Sequence, residues 1–264
     1  MDLSRIKMVV TDMDGTLLNA NHEVSSRFFK LFKQMQEKDI HFVAASGRQY
    51  HSMVEKLHSI KNDMIFIAEN GAMIKNKEEV LLTTPLKHEN LNTILKVVSK
   101  IENAHPVLCS PNNAYVNGSS EKFIELLKEY YTQFEVVESQ EEVKDEILKI
   151  AIYHFENSEK FIYPATKHLE EILKVKVSGS NWVDISHKNA HKGFALDKVM
   201  KKYNISSDEL LVFGDYNNDI EMLQLANYSF AMANAHPNVK RVANFETTNN
   251  NDFGVERVLE QMFL

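Results

Sequence analysis

Two carboxylates stand together at the end of an apolar run near the start of the chain. The segment Val9-Val10-Thr11-Asp12-Met13-Asp14-Gly15-Thr16 passes from strand-like residues into a glycine turn. Burying two neighbouring acids is costly unless one of them is protonated or a cation balances them, either a metal ion or a basic side chain. Asp12 and Asp14 are therefore candidates for chemistry rather than for architecture.

Further polar groups follow other apolar runs of the sequence. They are Ser46-Gly47-Arg48 after residues 40–45, Glu69-Asn70-Gly71 after residues 64–68, and Gly214-Asp215 after residues 210–213. Segments with helical periodicity, such as residues 24–38 and 194–203, separate most of the runs, which is the pattern of a parallel α/β sheet. Because ligands bind beyond the carboxyl ends of such strands, we expect these groups to converge on one crevice.

A different pattern occupies residues 85–187. Apolar and polar residues alternate at 147–153, 174–177 and 182–185, which is typical of half-exposed strands, and Gly179-Ser180-Asn181 predicts a hairpin connection. The sequence therefore predicts an α/β protein. Its Rossmann-like parallel-sheet core domain comprises residues 1–84 and 188–264, and an inserted α+β domain comprises residues 85–187.

Composition and charge argue against several classes of protein. The chain has 264 residues and a net charge of -7, without a dense Lys/Arg cluster, which argues against a nucleic-acid partner. No apolar stretch reaches the length of a membrane helix, and the N-terminus lacks the apolar block of a signal peptide. Cys109 is the only cysteine, so we expect a buried inert thiol in a cytoplasmic protein. No feature of the sequence indicates an oligomeric state.

The predicted crevice would hold four acids: Asp12, Asp14, Asp215 and Asp219. Hard oxygen ligands without histidine or thiolate partners favour Mg²⁺ over Zn²⁺, and Mg²⁺ keeps positions for water and phosphate. The groups that could balance charge or hold phosphate oxygens are Lys192, Arg48, Ser46, Thr16 and the N–H groups of the glycine turns. These features indicate a phosphorylated substrate.

The candidate nucleophile is a carboxylate. No serine–histidine, cysteine–histidine or N-terminal threonine arrangement is evident in the sequence. A carboxylate can attack phosphorus to form an aspartyl phosphate, while a second acid protonates the leaving oxygen and later activates water. A calcium loop is disfavoured because Leu17 stands where such a loop needs glycine.

Four motifs, in order along the chain, resemble those of the haloacid dehalogenase superfamily, specifically its Cof-type phosphatases with a large α/β cap (subfamily IIB). They are Asp12-Met13-Asp14-Gly15-Thr16, Ser46-Gly47-Arg48, Lys192-Gly193 and Gly214-Asp215-Tyr216-Asn217-Asn218-Asp219-Ile220-Glu221-Met222. The resemblance spans nearly the whole chain. It implies Mg²⁺-dependent hydrolysis of small phosphorylated metabolites, such as sugar phosphates, through an aspartyl phosphate.

The resemblance also implies roles for the motif residues. Asp12 would be the nucleophile and a metal ligand, and Asp14 the general acid/base, with its backbone carbonyl on the metal. Asp215 would be the third protein ligand, and Asp219 would support metal-bound water. The implied substrate contacts are Thr16, Ser46, Gly47, Arg48, Lys192 and Asn218, with Lys192 also compensating the charge of Asp12.

Some positions and functions stay open on the sequence alone. Phe253 and His191 depart from the family pattern, which has aspartate before Gly254-Val255 and a small polar residue before Lys192. Glu69 and Asn70 fit a strand-closing turn as well as a substrate contact. A phosphohexomutase would use the same intermediate, and a non-catalytic sensor would use the same pocket. We expect substrate specificity to lie in the insert.

Overall fold

A computed structural model of the chain describes residues 2–118, 120–131 and 133–264. The chain divides into two compact units. One comprises Met1–Leu82 and His191–Leu264, and the other comprises Thr83–Ala190. The assignment of the first unit to catalysis and of the second to substrate selection stays a prediction.

Both units contain a β-sheet with helices. The strands of the described residues are β1 (Met8–Asp12), β2 (His41–Ala45), β3 (Ile65–Ala68), β4 (Met73–Asn76), β5 (Glu79–Thr83), β6 (Ala104–Cys109), β7 (Ala114–Asn117), β8 (Glu135–Val137), β9 (Lys149–His154), β10 (Leu173–Gly179), β11 (Trp182–His187), β12 (Leu210–Gly214), β13 (Tyr228–Ala231) and β14 (Phe245–Glu246). The helices are α1 (Ser26–Glu37), α2 (Tyr50–Lys56), α3 (His88–Val98), α4 (Glu121–Leu127), α5 (Ser158–Phe161), α6 (Tyr163–Thr166), α7 (Lys192–Tyr203), α8 (Ile220–Leu223), α9 (Pro237–Val242) and α10 (Gly254–Glu260). Within the described ranges, no helix has both the length and the apolar character needed to cross a membrane.

The first sheet has the strand order β14-β13-β12-β1-β2-β3-β4-β5. The strands from β14 to β3 are parallel, and β4 runs antiparallel to β3. Strand β1 lies between β12 and β2, and its five residues are all buried. The parallel-sheet α/β architecture, accompanied by a second sheet, confirms the predicted fold class.

The predicted first helix packs its aromatic residues on this sheet. Ser25 caps α1 by accepting a hydrogen bond from the N–H of Phe28. The rings of Phe28 and Phe32 lie 5.0 and 5.8 Å from the ring of Phe42 in β2. The apolar stripe of α1 is therefore part of the core, as its periodicity predicts.

Parallel pairing brings the polar groups after the strands to one edge of the first sheet. Asp12 ends β1, Ser46 follows β2, Glu69 follows β3 and Asp215 follows β12. The registers of β1 with β2 and β12 align these ends, because Asp12 pairs with Ala45 and Thr11 pairs with Phe213. The carboxyl ends of these strands therefore bring the polar groups close together, as the sequence predicts.

The second sheet has the order β10-β11-β9-β6-β7-β8 and is antiparallel except between β7 and β8. The expectation that β9 is half-exposed is wrong, because all six of its residues are buried. Ile150 and Ile152 belong to one apolar cluster, whereas Ala151 and Tyr153 belong to another. Side chains cover both faces of this central strand, so its alternation does not separate core from solvent.

The predicted hairpin is confirmed, since β10 ends at Gly179 and β11 begins at Trp182. The Trp182 ring packs within this unit, 4.8 Å from the ring of Tyr153 and 5.4 Å from that of Tyr130. Cys109 is fully buried, as expected, and its Sγ lies 3.4 Å from the hydroxyl oxygen of Tyr131. These side chains help to build the second unit's core.

A left-handed segment follows β3 in the first unit. Glu69, Asn70 and Gly71 have φ angles of 51°, 55° and 95°. A Cβ atom at Gly71 would lie 2.4 Å from the carbonyl oxygen of His191, the residue before α7. Glycine at position 71 therefore permits both the backbone conformation and the close approach of this segment to the start of α7.

Gly71→Ala is expected to reduce the free energy of unfolding by about 2 kcal/mol, because the new methyl group meets backbone at a positive φ. Urea unfolding at neutral pH measures this change. Gly179→Ala is the matched control, because the nearest atom to its Cβ would be Trp182 Cδ1 at 3.8 Å, an ordinary contact. Equal stability of the two variants would contradict the proposed packing constraint.

Candidate active site

A buried ammonium group joins two of the predicted acids. Lys192 is the first residue of α7 and is fully buried. Its Nζ donates to Asp12 Oδ1 at 2.5 Å and to Asp219 Oδ1 at 2.6 Å. The start of α7, the end of β1 and the loop after β12 are thus connected through one positive charge.

Both oxygens of Asp219 are engaged. While Oδ1 accepts from Lys192, Oδ2 accepts from the backbone N–H groups of Asp215 at 2.9 Å and Tyr216 at 3.1 Å. A Cβ atom at Gly214 would lie 2.6 Å from the Cβ of Asp219, so glycine permits this tight turn. Asp219 therefore fixes the backbone that presents Asp215.

The pKa values follow from this burial and charge. Burial alone would lower the pKa of Lys192, but Asp12 and Asp219 raise it above its ordinary value, so the group is a cation. Burial raises the pKa of Asp12 well above its usual range, although the Lys192 ammonium opposes the rise. Burial and the Asp219 charge raise the pKa of Asp215 to about 6. A further cation bound beside Asp12 and Asp215 would favour their ionised carboxylate forms.

Three carboxylates could hold that cation. One oxygen from each of Asp12, Asp215 and Asp219 lies within 4.8 Å of the others. The three carboxylates carry more negative charge than the one ammonium group of Lys192 balances, and their hard oxygen atoms match Mg²⁺. The side chains present therefore fit the divalent cation that the sequence predicts.

Gly15 and Thr16 adjoin Asp215 from the first motif. Gly15 has a φ of 77°, and a Cβ atom there would lie 2.3 Å from Asp215 Oδ2. Thr16 Oγ1 donates to Asp215 Oδ1 at 3.4 Å. The glycine turn thus leaves space for the Asp215 carboxylate, and the Thr16 hydroxyl group contacts it.

Asp14 has a separate environment. Arg48 binds its carboxylate in a bidentate pair, with Nε–Oδ2 at 2.7 Å and Nη2–Oδ1 at 2.6 Å. Although burial raises the pKa of Asp14, the hydrogen bonds and charge of Arg48 lower it below its usual value. The carboxylate of Asp14 is not a member of the three-carboxylate group. The predicted substrate contact Arg48 thus pairs with the predicted acid/base.

The remaining predicted residues lie in connected loops. Ser46 is buried, and its Oγ accepts from the N–H of Arg48 at 3.1 Å. Asn218 Nδ2 donates to Asn70 Oδ1 at 3.0 Å, which links the loop after β12 to the loop after β3. A Cβ atom at Gly47 would lie 3.0 Å from Asn70 Nδ2. Asn70 is therefore a central contact, with Gly47 on one side and Asn218 on the other.

Two contacts beside these loops were not predicted. His191 caps α7, because its Nδ1 accepts from the N–H of Phe194 at 3.2 Å. Asn234 Nδ2 donates to the carbonyl oxygen of Gly15 at 2.8 Å. The position of His191 directly before α7 is a capping signal. The segment Asn234-Ala235-His236-Pro237 resembles the family's C-terminal portion, but the contact to Gly15 could not be predicted because the two residues are far apart in sequence.

The geometry agrees with comparisons to known proteins. A family model described as haloacid dehalogenase-like hydrolase matches residues 9–259. The chain belongs to this family. The superfamily resemblance and the predicted enzyme class, a phosphatase of this family, are thereby confirmed, since its named relatives are phosphatases.

Relatives of this hydrolase match it over nearly their whole length. An Escherichia coli protein named 5-amino-6-(5-phospho-D-ribitylamino)uracil phosphatase YbjI is 30% identical, with 97% of this chain and 96% of the relative covered. The crystal structure of SMU.1108c from Streptococcus mutans is 35% identical and has a TM-score of 0.86, with 98% and 99% covered. The structure of BT4131, described as a subclass IIB sugar phosphatase, shares the fold at 20% identity and a TM-score of 0.81, with 97% and 99% covered.

Phe253, which departs from the family pattern, directly precedes α10. Phe253 has a φ of 61°, and its ring lies 5.4 Å from the guanidinium carbon of Arg27. Arg27 in turn donates from Nε to Glu260 at 2.5 Å. The side chain at position 253 therefore packs on an ion pair between α1 and α10.

Lys192→Met is expected to lower the free energy of unfolding of this hydrolase by about 3 kcal/mol, because two buried carboxylates lose their cation. Urea unfolding at neutral pH without added metal measures the change. Lys201→Met is the control on the same helix, since Lys201 is exposed and pairs with Asp197 at the surface. An unchanged stability of Lys192→Met would show that the shared ammonium is dispensable.

Proposed function

We propose that this hydrolase is a Mg²⁺-dependent phosphatase of small phosphorylated metabolites that acts through an aspartyl phosphate on Asp12. The group of Asp12, Asp215 and Asp219 carries the proposal, because their carboxylates lie close together and two of them, Asp12 and Asp219, bind the Lys192 ammonium. The named substrates of the relatives are a phosphorylated ribitylaminouracil and sugar phosphates. Phosphorylated sugars and polyols are therefore the first substrates to test.

Mg²⁺ would be held by the carboxylates of Asp12 and Asp215 and by the backbone carbonyl of Asp14, with Asp219 supporting the site through the Asp215 backbone. When bound, the ion supplies positive charge that offsets the phosphoryl oxygens. Lys192 contributes a second positive charge that also fixes the Asp12 carboxylate. Ser46, Thr16 and Asn218 are the proposed neutral contacts to phosphate.

In the first step, a carboxylate oxygen of Asp12 attacks phosphorus, and the bond from phosphorus to the ester oxygen breaks. Asp14 gives its proton to that oxygen, so the leaving group departs as an alcohol. In the second step, Asp14 takes a proton from water while the water oxygen attacks phosphorus. The bond between phosphorus and Asp12 then breaks, which restores Asp12 and releases inorganic phosphate.

The contact with Arg48 affects whether the Asp14 carboxyl group is protonated. The lowered pKa of Asp14 beside Arg48 favours the carboxylate form, which the second step requires. The first step requires a protonated Asp14. We therefore infer that a substrate phosphate attracts Arg48, which weakens the bidentate pair and lets Asp14 bind its proton. This exchange also gives Arg48 the substrate contact that the sequence predicts.

The second unit, Thr83–Ala190, is proposed to act as the lid that selects the leaving group. A lid excludes water from the reacting phosphate and adds contacts to the rest of the substrate. A cytoplasmic location likewise stays a prediction, supported by the single buried cysteine.

Asp12→Asn is expected to reduce kcat by at least about a thousandfold, because an amide cannot replace the nucleophile. Release of inorganic phosphate from a panel of sugar and polyol phosphates with Mg²⁺ measures the change. Asp197→Asn, at the surface beside Lys201, is the control and retains wild-type kcat. Substantial Mg²⁺-dependent hydrolysis by Asp12→Asn would defeat the assignment. If the wild-type protein instead forms an isomerised sugar phosphate, it is a mutase. If it binds sugar phosphates without turning them over, it is a sensor.

Mg²⁺ affinity is expected to fall as the pH falls through about 6, the pKa of Asp215. Above that pH the carboxylate is free to bind the ion, whereas below it binding must release a proton. Affinity therefore weakens by up to about tenfold per pH unit below 6 for one proton. Calorimetric titration of the wild-type protein with MgCl₂ across this range measures the slope. An affinity that is independent of pH would contradict a role for Asp215 as ligand.

A further inference from the structure

Asn70 and its neighbour Glu69 are hydrogen-bonded through their backbone to the Ser46-Gly47-Arg48 motif. The N–H of Glu69 donates to the carbonyl oxygen of Arg48 at 3.0 Å. The N–H of Asn70 donates to the carbonyl oxygen of Ser46 at 2.9 Å. The backbone of Asn70 is therefore anchored, within the first unit, to the motif whose serine is a proposed phosphate contact.

The side chain of Asn70 contacts a different motif. Its Oδ1 accepts a hydrogen bond from Asn218 Nδ2 at 3.0 Å, and both side chains are partly buried. Asn218 directly precedes Asp219, whose carboxylate accepts from Lys192 at 2.6 Å. The backbone of Asn218 thus adjoins the buried ion pair of Lys192 and Asp219, while its side chain is bound to Asn70.

The backbone conformation at position 70 does not require the asparagine side chain. Asn70 has a φ of 55° and a ψ of 31°, which lie in the left-handed region. Glycine adopts this conformation more readily than asparagine does. The turn itself therefore needs no amide group, and Asn70→Gly removes the side chain without straining the backbone. This substitution separates the role of the amide from that of the turn.

The hydrogen bond to Asn70 determines the orientation of the Asn218 amide. An amide side chain has an NH₂ group with two donor hydrogens at one end and an acceptor oxygen at the other. Asn70 Oδ1 uses one of these hydrogens, and within the described residues this is the only hydrogen bond of the Asn218 amide. In the reversed amide, the oxygen of Asn218 would face the oxygen of Asn70, and the two acceptors would repel each other. Asn70 therefore keeps the donor end, with its second hydrogen, in place.

We propose that Asn70 is a positioning residue, which orients the Asn218 amide so that its second N–H group donates to a phosphate oxygen of the substrate. The proposal rests on the proposed phosphatase activity, in which Asn218 is a neutral contact to phosphate. Phosphate oxygens only accept hydrogen bonds from such a group, so a reversed amide would repel them. Because the phosphate group is common to all the substrates, Asn70 supports the hydrolysis of each ester to the same extent.

The test is a double-mutant cycle of the wild type, Asn70→Gly, Asn218→Ala and the double variant. The value of kcat/KM is measured with Mg²⁺ for glucose phosphate and for glycerol phosphate. Each single variant is expected to lower kcat/KM by about tenfold for both esters, as the loss of one hydrogen bond to a charged group predicts. The double variant is expected to match Asn218→Ala, because Asn70 acts through Asn218.

Asn204→Gly is the matched control. Asn204 directly follows α7, is exposed and has a φ of 54°, so this variant also removes an asparagine side chain from a left-handed position. It is expected to retain the kcat/KM of the wild type. Urea unfolding shows whether each variant keeps the fold. A merely structural role of Asn70 would lower kcat/KM by the same factor with or without the Asn218 side chain.

A wild-type kcat/KM in either single variant would overturn the role of Asn70, and so would a double variant about tenfold below Asn218→Ala. Failure of the proposed phosphatase function has a different signature, namely no turnover of any ester by the wild type. In that case, calorimetric titration with inorganic phosphate in the presence of Mg²⁺ measures the same cycle. Equally weakened binding by Asn70→Gly, Asn218→Ala and the double variant would support the proposal. Losses that multiply, or no binding by the wild type, would overturn it.

Discussion

The buried ammonium group of Lys192 is the interaction on which the first unit depends. It is fully buried and donates to carboxylates from two separate segments, Asp12 and Asp219. A buried charge is tolerated only when opposite charges and hydrogen bonds surround it. Three features of the fold bring Lys192, Asp12 and Asp219 together. They are the parallel pairing of β1 with β12, the position of Lys192 at the start of α7, and the close approach of Gly71 to the residue before α7.

The distribution of charge around Lys192 also separates the two acids of the first motif. Burial raises the pKa of Asp12 in the anionic group, whereas Arg48 lowers the pKa of Asp14 despite burial. Carboxylates in different environments can take different catalytic roles. In the proposed mechanism, Asp12 binds the cation and attacks phosphorus, and the charge of Asp14 depends on where Arg48 binds. The two residues are close in sequence but distinct in chemistry.

Much of the fold and site could be predicted, because local patterns carry the information. Apolar runs ending in Asp12, before Ser46 and before Asp215 indicate parallel strands, and parallel strands converge at their ends. Contacts made through side chains from distant segments could not be predicted in this way. The Arg48–Asp14 pair and the Asn70–Asn218 hydrogen bond are examples.

The burial of individual side chains was also hard to predict from the sequence. The alternation around β9 suggested a half-exposed strand, but Ile150 and Ala151 pack into clusters on opposite faces. A periodicity of two shows which residues share a face and does not show what covers each face. The left-handed backbone at Glu69 and Asn70 was also unforeseen, since neither residue requires a positive φ as strongly as Gly71 favours one.

The proposed mechanism requires that Asp12 becomes phosphorylated. The most direct measurement is rapid quenching of the Asp14→Asn variant with p-nitrophenyl phosphate and Mg²⁺, followed by digestion and mass spectrometry. This ester has a good leaving group, so formation of the intermediate needs little acid catalysis, whereas its hydrolysis lacks the base. One phosphoryl group is expected on the peptide that contains Asp12. A phosphoryl group on another residue, or nitrophenol release in a single turnover without any phosphorylated peptide, would contradict it.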